Sequence, residues 1–284
     1  MTEFGAPTTL GAALAEAARA LQATSSSPRL DAELLLVHAS GATRAEVLAY
    51  PERSLPEAAR NALTGLIERR RNGEPIAYLL GTREFWSLPL QVTPAVLIPR
   101  PETELLVEQA LRHIPQDAAW TVADIGTGSG AVALAIAHER PRCRVIATDT
   151  ALDALEVARH NARSLKITNV EFRRGEWLAP LADEQFEIIV SNPPYVRADD
   201  PHLQEGDVRF EPRAALVAGA DGLDAIRHIS AAALAFLRAG GWLLLEHGYD
   251  QGSATRDLLA RGFLDVTSHL DLAGRERITE GRAR

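Results

Sequence analysis

The stretch TVADIGTGSGAVALAIA, residues 121–137, constrains the fold most, because an apolar run, a glycine-rich turn and a second apolar run read as strand, tight turn and helix. The first run ends in Asp124, the turn carries Gly126, Thr127, Gly128 and Gly130, and the rest opens a helix. Such a unit belongs in a mainly parallel α/β sheet, where the turn presents backbone N–H groups to a ligand beyond the strand's carboxyl end. The spacing departs from the G-x-G-x-x-G of dinucleotide binders, and no Lys-Ser/Thr pair follows as in a phosphate-binding loop. By itself the turn fits either a nucleoside-bearing cofactor or a plain strand-to-helix connection.

From Trp120 onward the pattern repeats. RVIATD is expected to end a second strand at Asp149, and ALEVARHNARSL a helix; VEFRRG and FEIIVS follow as strands. After a long insertion, a helix over GLDAIRHISAAALAFLRA leads to the strand GWLLLEH, a helix over SATRDLLARG, and terminal strands near LDVTSHL and RERITEG. This is a mostly parallel seven-stranded α/β fold. Asp124, Asp149, Glu176 and Asn192 all follow strands, which places them along one rim of an open sheet.

The residues before this sheet have a different texture. Four short helices are expected in the first 75 or so residues: one capped by Thr8 or Thr9, one from about Arg29 to Gly41, one from Thr43 to Tyr50, and one from Pro56 to the Asn72-Gly73 stop. Arg69, Arg70 and Arg71 read as a solvated helix end, with partner contact as the alternative. REFWSLPL and LQVTPAVLI read as extended runs of a hairpin linker, with Phe85 and Trp86 as packing anchors between domains. Pro99 and Pro101 hold Arg100 in an extended loop, and Glu102, Thr103 and Glu104 start the next helix. The division expected is a helical domain over 1–78, a hairpin linker over 79–98 and a catalytic domain over 99–284.

Composition narrows the function classes. With 46% hydrophobic and 24% charged residues the chain reads as an ordinary soluble protein. A single cysteine, Cys143, rules out an intramolecular disulfide and a multi-cysteine metal site, and fits a cytoplasmic location. The apolar stretches near 229–245 are broken by Arg238 and Gly240-Gly241, too short to span a bilayer, and MTEFGAPTTL lacks the basic segment of a secretory signal. A net charge of -8, from 30 basic against 38 acidic side chains, disfavours a protein that depends on a general grip on nucleic acid. His138 and His247 have no metal-ligand constellation around them in sequence, so structural or surface roles are expected and no metal site is assigned.

Two constellations carry chemistry. A carboxylate at Asp149 can accept hydrogen bonds from two ribose hydroxyls, or cap the helix that follows. Asn192-Pro193-Pro194-Tyr195 after FEIIVS supplies an amide oxygen, a backbone carbonyl and a ring, a set that holds a planar NH2 group by its two hydrogens with the ring packed against its face. Such acceptors orient an otherwise poor amide nucleophile toward an electrophilic methyl and favour the developing positive charge.

ADIGTGSG with Asp149 and NPPY resembles the class I S-adenosylmethionine-dependent methyltransferases, a Rossmann-like fold. GTREFWSLPL, LIPRPETE, SNPPYV, GDVRFEP and LLLEHG extend the resemblance over nearly the whole chain to the protein-(glutamine-N5) methyltransferases of the HemK/PrmC family. That resemblance implies transfer of a methyl group from S-adenosyl-L-methionine to the glutamine of the GGQ tripeptide in bacterial peptide chain release factors, by a monomer without stable nucleic-acid binding. It implies Asp124, Gly126, Thr127, Gly128 and Gly130 at the cofactor turn, Asp149 on the ribose, and Glu176 and Trp177 near the adenine. Asn192, Pro193 and Tyr195 would hold the target amide, and Arg100 would lie in a loop closing over the site. Glu211 and Pro212 match a later segment with either a loop or a substrate role. The readings kept beside it are adenine-N6 methylation of nucleic acid, glutamine methylation of a ribosomal protein, and a non-enzymatic binding module.

Overall fold

The computed structural model describes residues 9–284. The chain divides into two compact units, one of residues up to Gly81 together with Gln204–Phe210, the other of Thr82–Leu203 and Glu211–Arg284.

In the first unit α1 (Leu10–Leu21) buries Leu10, Ala13, Leu14, Ala17 and Leu21, the spacing of one helical face, and Thr9 caps it by accepting from the Ala12 N–H at 3.3 Å. Thr8, the other expected cap, lies outside the described residues. α2 (Pro28–Ser40) starts on a proline and stops at Gly41, whose φ of 69° is the left-handed conformation that ends helices cheaply. α3 (Arg44–Ala49) opens with a reciprocal capping box between Thr43 and Glu46, and α4 (Glu57–Arg71) completes the four expected helices. A fifth, α5 (Ile76–Leu80), follows between Pro75 and Gly81. The arginine run is not uniformly solvated. Arg69 pairs with Glu74 and Arg71 is exposed, but Arg70 is buried and bonds Asp31 Oδ2 and Asp207 Oδ1, each at 2.8 Å. Successive helical residues point about 100° apart, so only one of three neighbours can face the core.

The second unit opens with the hairpin β1 (Thr82–Phe85) and β2 (Leu88–Gln91), turned by Trp86 and Ser87 at φ 53° and 58°. The expected second extended run stops at Gln91, because Pro94 lacks a donor and the Val96 N–H turns back onto the Thr93 carbonyl at 3.0 Å. Phe85 is buried in the core of this unit, and Trp86 donates from its ring to Glu139 and from its backbone N–H to the Glu104 carboxylate. The anchoring seen for these two aromatics is thus internal to the second unit.

The remaining elements are α6 (Glu104–His113), β3 (Thr121–Ile125), α7 (Ala131–Glu139), β4 (Arg144–Asp149), α8 (Leu152–Ser164), β5 (Val170–Arg174), β6 (Phe186–Ser191), α9 (Asp224–Ala232), β7 (Leu237–Glu246), α10 (Gly252–Leu259), β8 (Leu264–Leu270) and β9 (Glu276–Arg282). They build one seven-stranded sheet in the order β5-β4-β3-β6-β7-β9-β8, parallel except where β9 runs antiparallel to β7 and β8. The central strands are apolar throughout because both faces are covered. Val122, Ile188 and Val190 pack with α6 and α7, whereas Ala123, Ile125 and Ile189 pack with α9 and α10. α9 is shorter and β7 longer than expected: Gly240 and Gly241 exchange backbone bonds with Ala283, which draws Arg238–Gly241 into the sheet. Strand order reverses at β3, so the carboxyl ends of β3, β4 and β6 open on a crevice.

Candidate active site

A cavity of about 600 Å³ occupies that crevice, within the usual size range of small-molecule sites. Its lining includes Asp124, Gly126, Thr127, Gly128, Asp149, Glu176, Trp177, Asn192 and Arg100, so nine of the residues singled out from sequence converge on one space.

The glycine turn does not work as its sequence suggests. The Gly126 and Thr127 N–H groups both donate to the Thr148 carbonyl at 2.9 Å, Gly128 donates to Asp149 Oδ2 at 2.9 Å, and Gly130 to the Thr127 carbonyl at 2.8 Å. Those four donors are engaged within the protein rather than aimed at a ligand. Glycine is needed for conformation instead: Gly126 and Gly128 sit at φ 76° and 54°. Gly130, at φ 85°, is off the cavity lining. A Cβ there would come within 3.2 Å of Ala158 Cβ, so this glycine lets α7 approach α8.

Asp124 is buried and its Oδ2 accepts from Thr127 Oγ1 at 2.6 Å and from the Ala133 N–H at 3.2 Å. Burial pushes its carboxyl up to about 6 against the pull of those two donors, with the Asp149 charge adding to the rise. Asp124 therefore holds the turn together. Asp149 accepts from Gly128 through Oδ2 and from the Ala151 N–H through Oδ1, both at 2.9 Å, leaving the outer lone pairs of the carboxylate toward the cavity. Asp149 does not cap α8: the N-cap is Ala151, with no side-chain cap, and Asp149 accepts from the N–H of that residue in the turn before the helix.

Trp177 takes φ 51°, and its carbonyl accepts from Thr148 Oγ1 at 3.1 Å, which fixes the loop after β5. Its ring lies 6.0 Å from that of His228 on α9, a tilted aromatic wall beside Glu176. Arg100 is paired with the fully buried Glu211 side chain, which also accepts the Ile98 N–H at 3.4 Å. Glu211 thereby clamps the loop before α6, and Pro212 rather than Glu211 lines the cavity.

At the end of β6, Asn192 and Pro194 line the cavity and Pro193 is buried. Asn192 Nδ2 donates to Thr103 Oγ1 at 3.1 Å, which leaves Oδ1 as an acceptor. Tyr195 is off the lining; its hydroxyl donates to Glu246 Oε1 at 3.3 Å and its carbonyl accepts from Gln251 Nε2 at 3.0 Å. Burial and the Glu246 charge push the Tyr195 phenol well above its ordinary range, so it stays a donor. His247 is fully buried with both ring nitrogens engaged, by Gly248 O and Thr279 Oγ1 at 2.8 Å, and His138 is exposed on α7.

Thr103, Thr148, His228 and Glu246 were not identified from sequence. For Glu246 a signal exists: LLLE, like RVIATD, is an apolar strand ending in an acid. The threonines and His228 carry none, because only the fold brings them to the rim.

The model of the PrmC N-terminal domain matches residues 12–81, and that of the methyltransferase small domain matches residues 102–206. A release factor glutamine methyltransferase of Pseudomonas aeruginosa is 56% identical over 259 residues, covering 91% of this chain and 94% of that one. One from Escherichia coli K12 is 51% identical over 270 residues, covering 95% and 97%. Among solved structures, a Thermus thermophilus 16S rRNA methyltransferase, RsmC, superposes with a TM-score of 0.54 at 20% identity, over 72% of this chain and 50% of that one. A Pyrococcus furiosus methyltransferase does so with 0.52 at 17% identity, over 69% and 88%. These two share the fold.

Proposed function

Because the chain belongs to the release factor glutamine methyltransferase family, we propose that it transfers a methyl group from S-adenosyl-L-methionine to the side-chain amide nitrogen, N5, of the GGQ glutamine in bacterial peptide chain release factors. The observation that carries this reading is a single cavity with a carboxylate, Asp149, and an aromatic wall, Trp177, on one part of its lining and the amide acceptor Asn192 on another. The residues fit the cofactor: Asp149 has lone pairs left for two ribose hydroxyls, Trp177 and His228 suit a planar base, and the engaged N–H groups of the turn suit a ligand without phosphate.

S-adenosylmethionine bound here supplies an electrophilic methyl on a sulfonium. The chain's own residues orient the acceptor. Asn192 Oδ1 and the Pro193 carbonyl each accept one N–H of the glutamine amide, turning the nitrogen lone pair toward the methyl carbon and stabilising the positive charge that grows on nitrogen. With the cofactor bound, the N–C bond would form as the S–C bond broke, the electron pair would stay on sulfur as S-adenosylhomocysteine, and the nitrogen would release one proton to solvent. The glycines of GGQ let the substrate backbone come close in so narrow a space. Release factors as substrates support a cytoplasmic location for the enzyme; among the described residues no helix is long and apolar enough to cross a membrane. Since one catalytic unit contains every group invoked, a monomer suffices.

The test is incubation with methyl-labelled cofactor and, separately, release factor, ribosomal protein and DNA, followed by mapping of the labelled residue. Label on the GGQ glutamine is expected. Label on adenine or on the ribosomal protein alone overturns the proposal.

A further inference from the structure

The corner Asn192-Pro193-Pro194-Tyr195 carries two successive prolines, which have no N–H, so neither can be tied down by donating a backbone bond. Its position depends on what holds its two ends. On the incoming side β6 delivers Ser191, whose hydroxyl donates to the Ile125 carbonyl at 2.6 Å. On the outgoing side the Val196 N–H donates to the Leu216 carbonyl at 2.8 Å, and the Val196 carbonyl accepts from the Ala218 N–H at 2.9 Å. Between these anchors the Tyr195 carbonyl accepts from Gln251 Nε2 at 3.0 Å.

Gln251 precedes α10, is 9% exposed and lies off the cavity lining. Its Oε1 accepts from the Gly248 N–H at 2.9 Å, and its Nε2 also donates to the Asp221 and Gly222 carbonyls, each at 3.4 Å. Every one of these partners is a backbone group with a fixed role, since an N–H only donates and a carbonyl only accepts. The side-chain amide therefore has a single orientation that satisfies them all. The space around it is fitted: a Cβ on Gly222 would stand 2.4 Å from the Tyr195 carbonyl oxygen and 2.8 Å from Gln251 Nε2. One side chain thus bridges the corner after β6, the loop before α9 and the loop after β7.

Building on the functional reading above, we infer that Gln251 is a positioning residue for methyl transfer: by holding the Tyr195 carbonyl it sets where Asn192 Oδ1 and the Pro193 carbonyl stand relative to the methyl group. Each proline ring fixes φ near about −65°, so the corner is stiff and a shift at Tyr195 passes back to Pro193 instead of being absorbed between them. Removing the Nε2 donor leaves the Tyr195 carbonyl without this partner, which favours such a shift. The Tyr195 bond is shorter than the two at 3.4 Å, so the corner depends on Gln251 more than the loop before α9 does.

The experiment measures kcat, KM for intact release factor and cofactor Kd for the full-length protein at pH 8, in wild type, Q251M, Q251E, N192A and the Q251M/N192A double variant. Circular dichroism and thermal melting report folding. Methionine fills the volume without a donor, so Q251M should lose about 10-fold in kcat, with KM and cofactor Kd within about 3-fold of wild type. Glutamate keeps the shape and the Gly248 bond but turns an acceptor toward three carbonyls, so Q251E should lose at least as much kcat as Q251M. A packing role predicts the reverse order, because glutamate matches glutamine more closely in shape. In the N192A background the Q251M change should cost less than about 3-fold, since one of the groups it positions is gone. The inference is overturned if folded Q251M or Q251E keeps kcat within about 2-fold of wild type, if cofactor Kd weakens as much as kcat falls, if Q251E outperforms Q251M, or if the full loss recurs in N192A. Either Gln251 variant decides by its own kcat and Kd where the other does not fold. Wild-type labelling decides the functional reading; the variant-to-wild-type ratio, taken on whichever acceptor wild type labels, decides this one.

Discussion

Replacing Asp149 by alanine separates cofactor binding from architecture. The carboxylate accepts two backbone N–H groups at 2.9 Å, from Gly128 and Ala151, and a carboxylate has about four lone-pair sites, so two remain for the ribose hydroxyls. A hydrogen bond to a charged group is worth about 1.5–3 kcal/mol, and two of them, taken at the low end for a site open to solvent, come to about 3 kcal/mol. That is about 100-fold in Kd for S-adenosylmethionine, measured by titration calorimetry. The protein itself should lose only about 1 kcal/mol, since the exposed Ala151 N–H can turn to water. Asparagine at this position is no neutral control, because its NH2 must face one of two N–H donors. A cofactor analogue lacking both ribose hydroxyls should bind Asp149→Ala and wild type alike. If the alanine variant, correctly folded, binds the natural cofactor within about 3-fold of wild type, the ribose assignment is wrong.

Asn192→Ala should leave cofactor affinity unchanged and lower kcat about 100-fold, in keeping with loss of one pre-oriented polar contact in a transition state; normal methyl transfer to intact release factor refutes its role. Asp124 is raised from 3.8 to about 6, so between those values the folded state holds a proton that the unfolded state has lost, and stability falls as pH rises through that window. Urea titrations from pH 4 to 7 should show a loss of about 3 kcal/mol from this group, which Asp124→Asn removes; an unchanged slope in the variant counts against it. Glu280, held at about 2 against the rise from burial by the hydrogen bond with His113 and by the nearby His269 imidazole, acts oppositely, its contribution being lost only as pH falls below the ordinary carboxylate range. Glu211→Ala removes the buried partner of a one-third-exposed Arg100 and the acceptor of Ile98, for about 2 kcal/mol in urea midpoint, and a change under about 0.5 kcal/mol would show that the clamp is incidental.

The sheet was legible because its signals are local. Apolar runs of five or six residues bounded by polar and turn residues pack between two helical layers, and β3, β4 and β6 fall where these runs were expected. The turn was legible as a turn, but its donors were read as facing a ligand. Their engagement depends on the Thr148 carbonyl and the Asp149 carboxylate, one strand away, and no spacing within residues 121–137 encodes it. Arg70 shows the same limit: its partner Asp207 lies 137 residues onward. α5 escaped notice because five residues give barely more than one turn of periodicity. Asn192 was found by its motif, whereas Thr103, which orients it, sits 89 residues earlier in a segment that reads only as a helix start.

Under the proposed function, the charges at the rim favour a peptide amide over a nucleic acid. Asp124 lies one residue before the end of β3, acids end β4 and β7, the Gly126, Thr127, Gly128 and Gly130 N–H groups are engaged within the protein, and the arginine on the cavity wall is paired with Glu211. A polyanion brought to that cavity meets the Asp149 carboxylate, and the net charge of -8 gives no compensating attraction at distance. A glutamine on glycine-rich backbone is neutral and needs only two acceptors and room. The resemblance in fold to an rRNA methyltransferase is therefore no guide to substrate, since the sheet serves any methyl acceptor and the charges around it select among them.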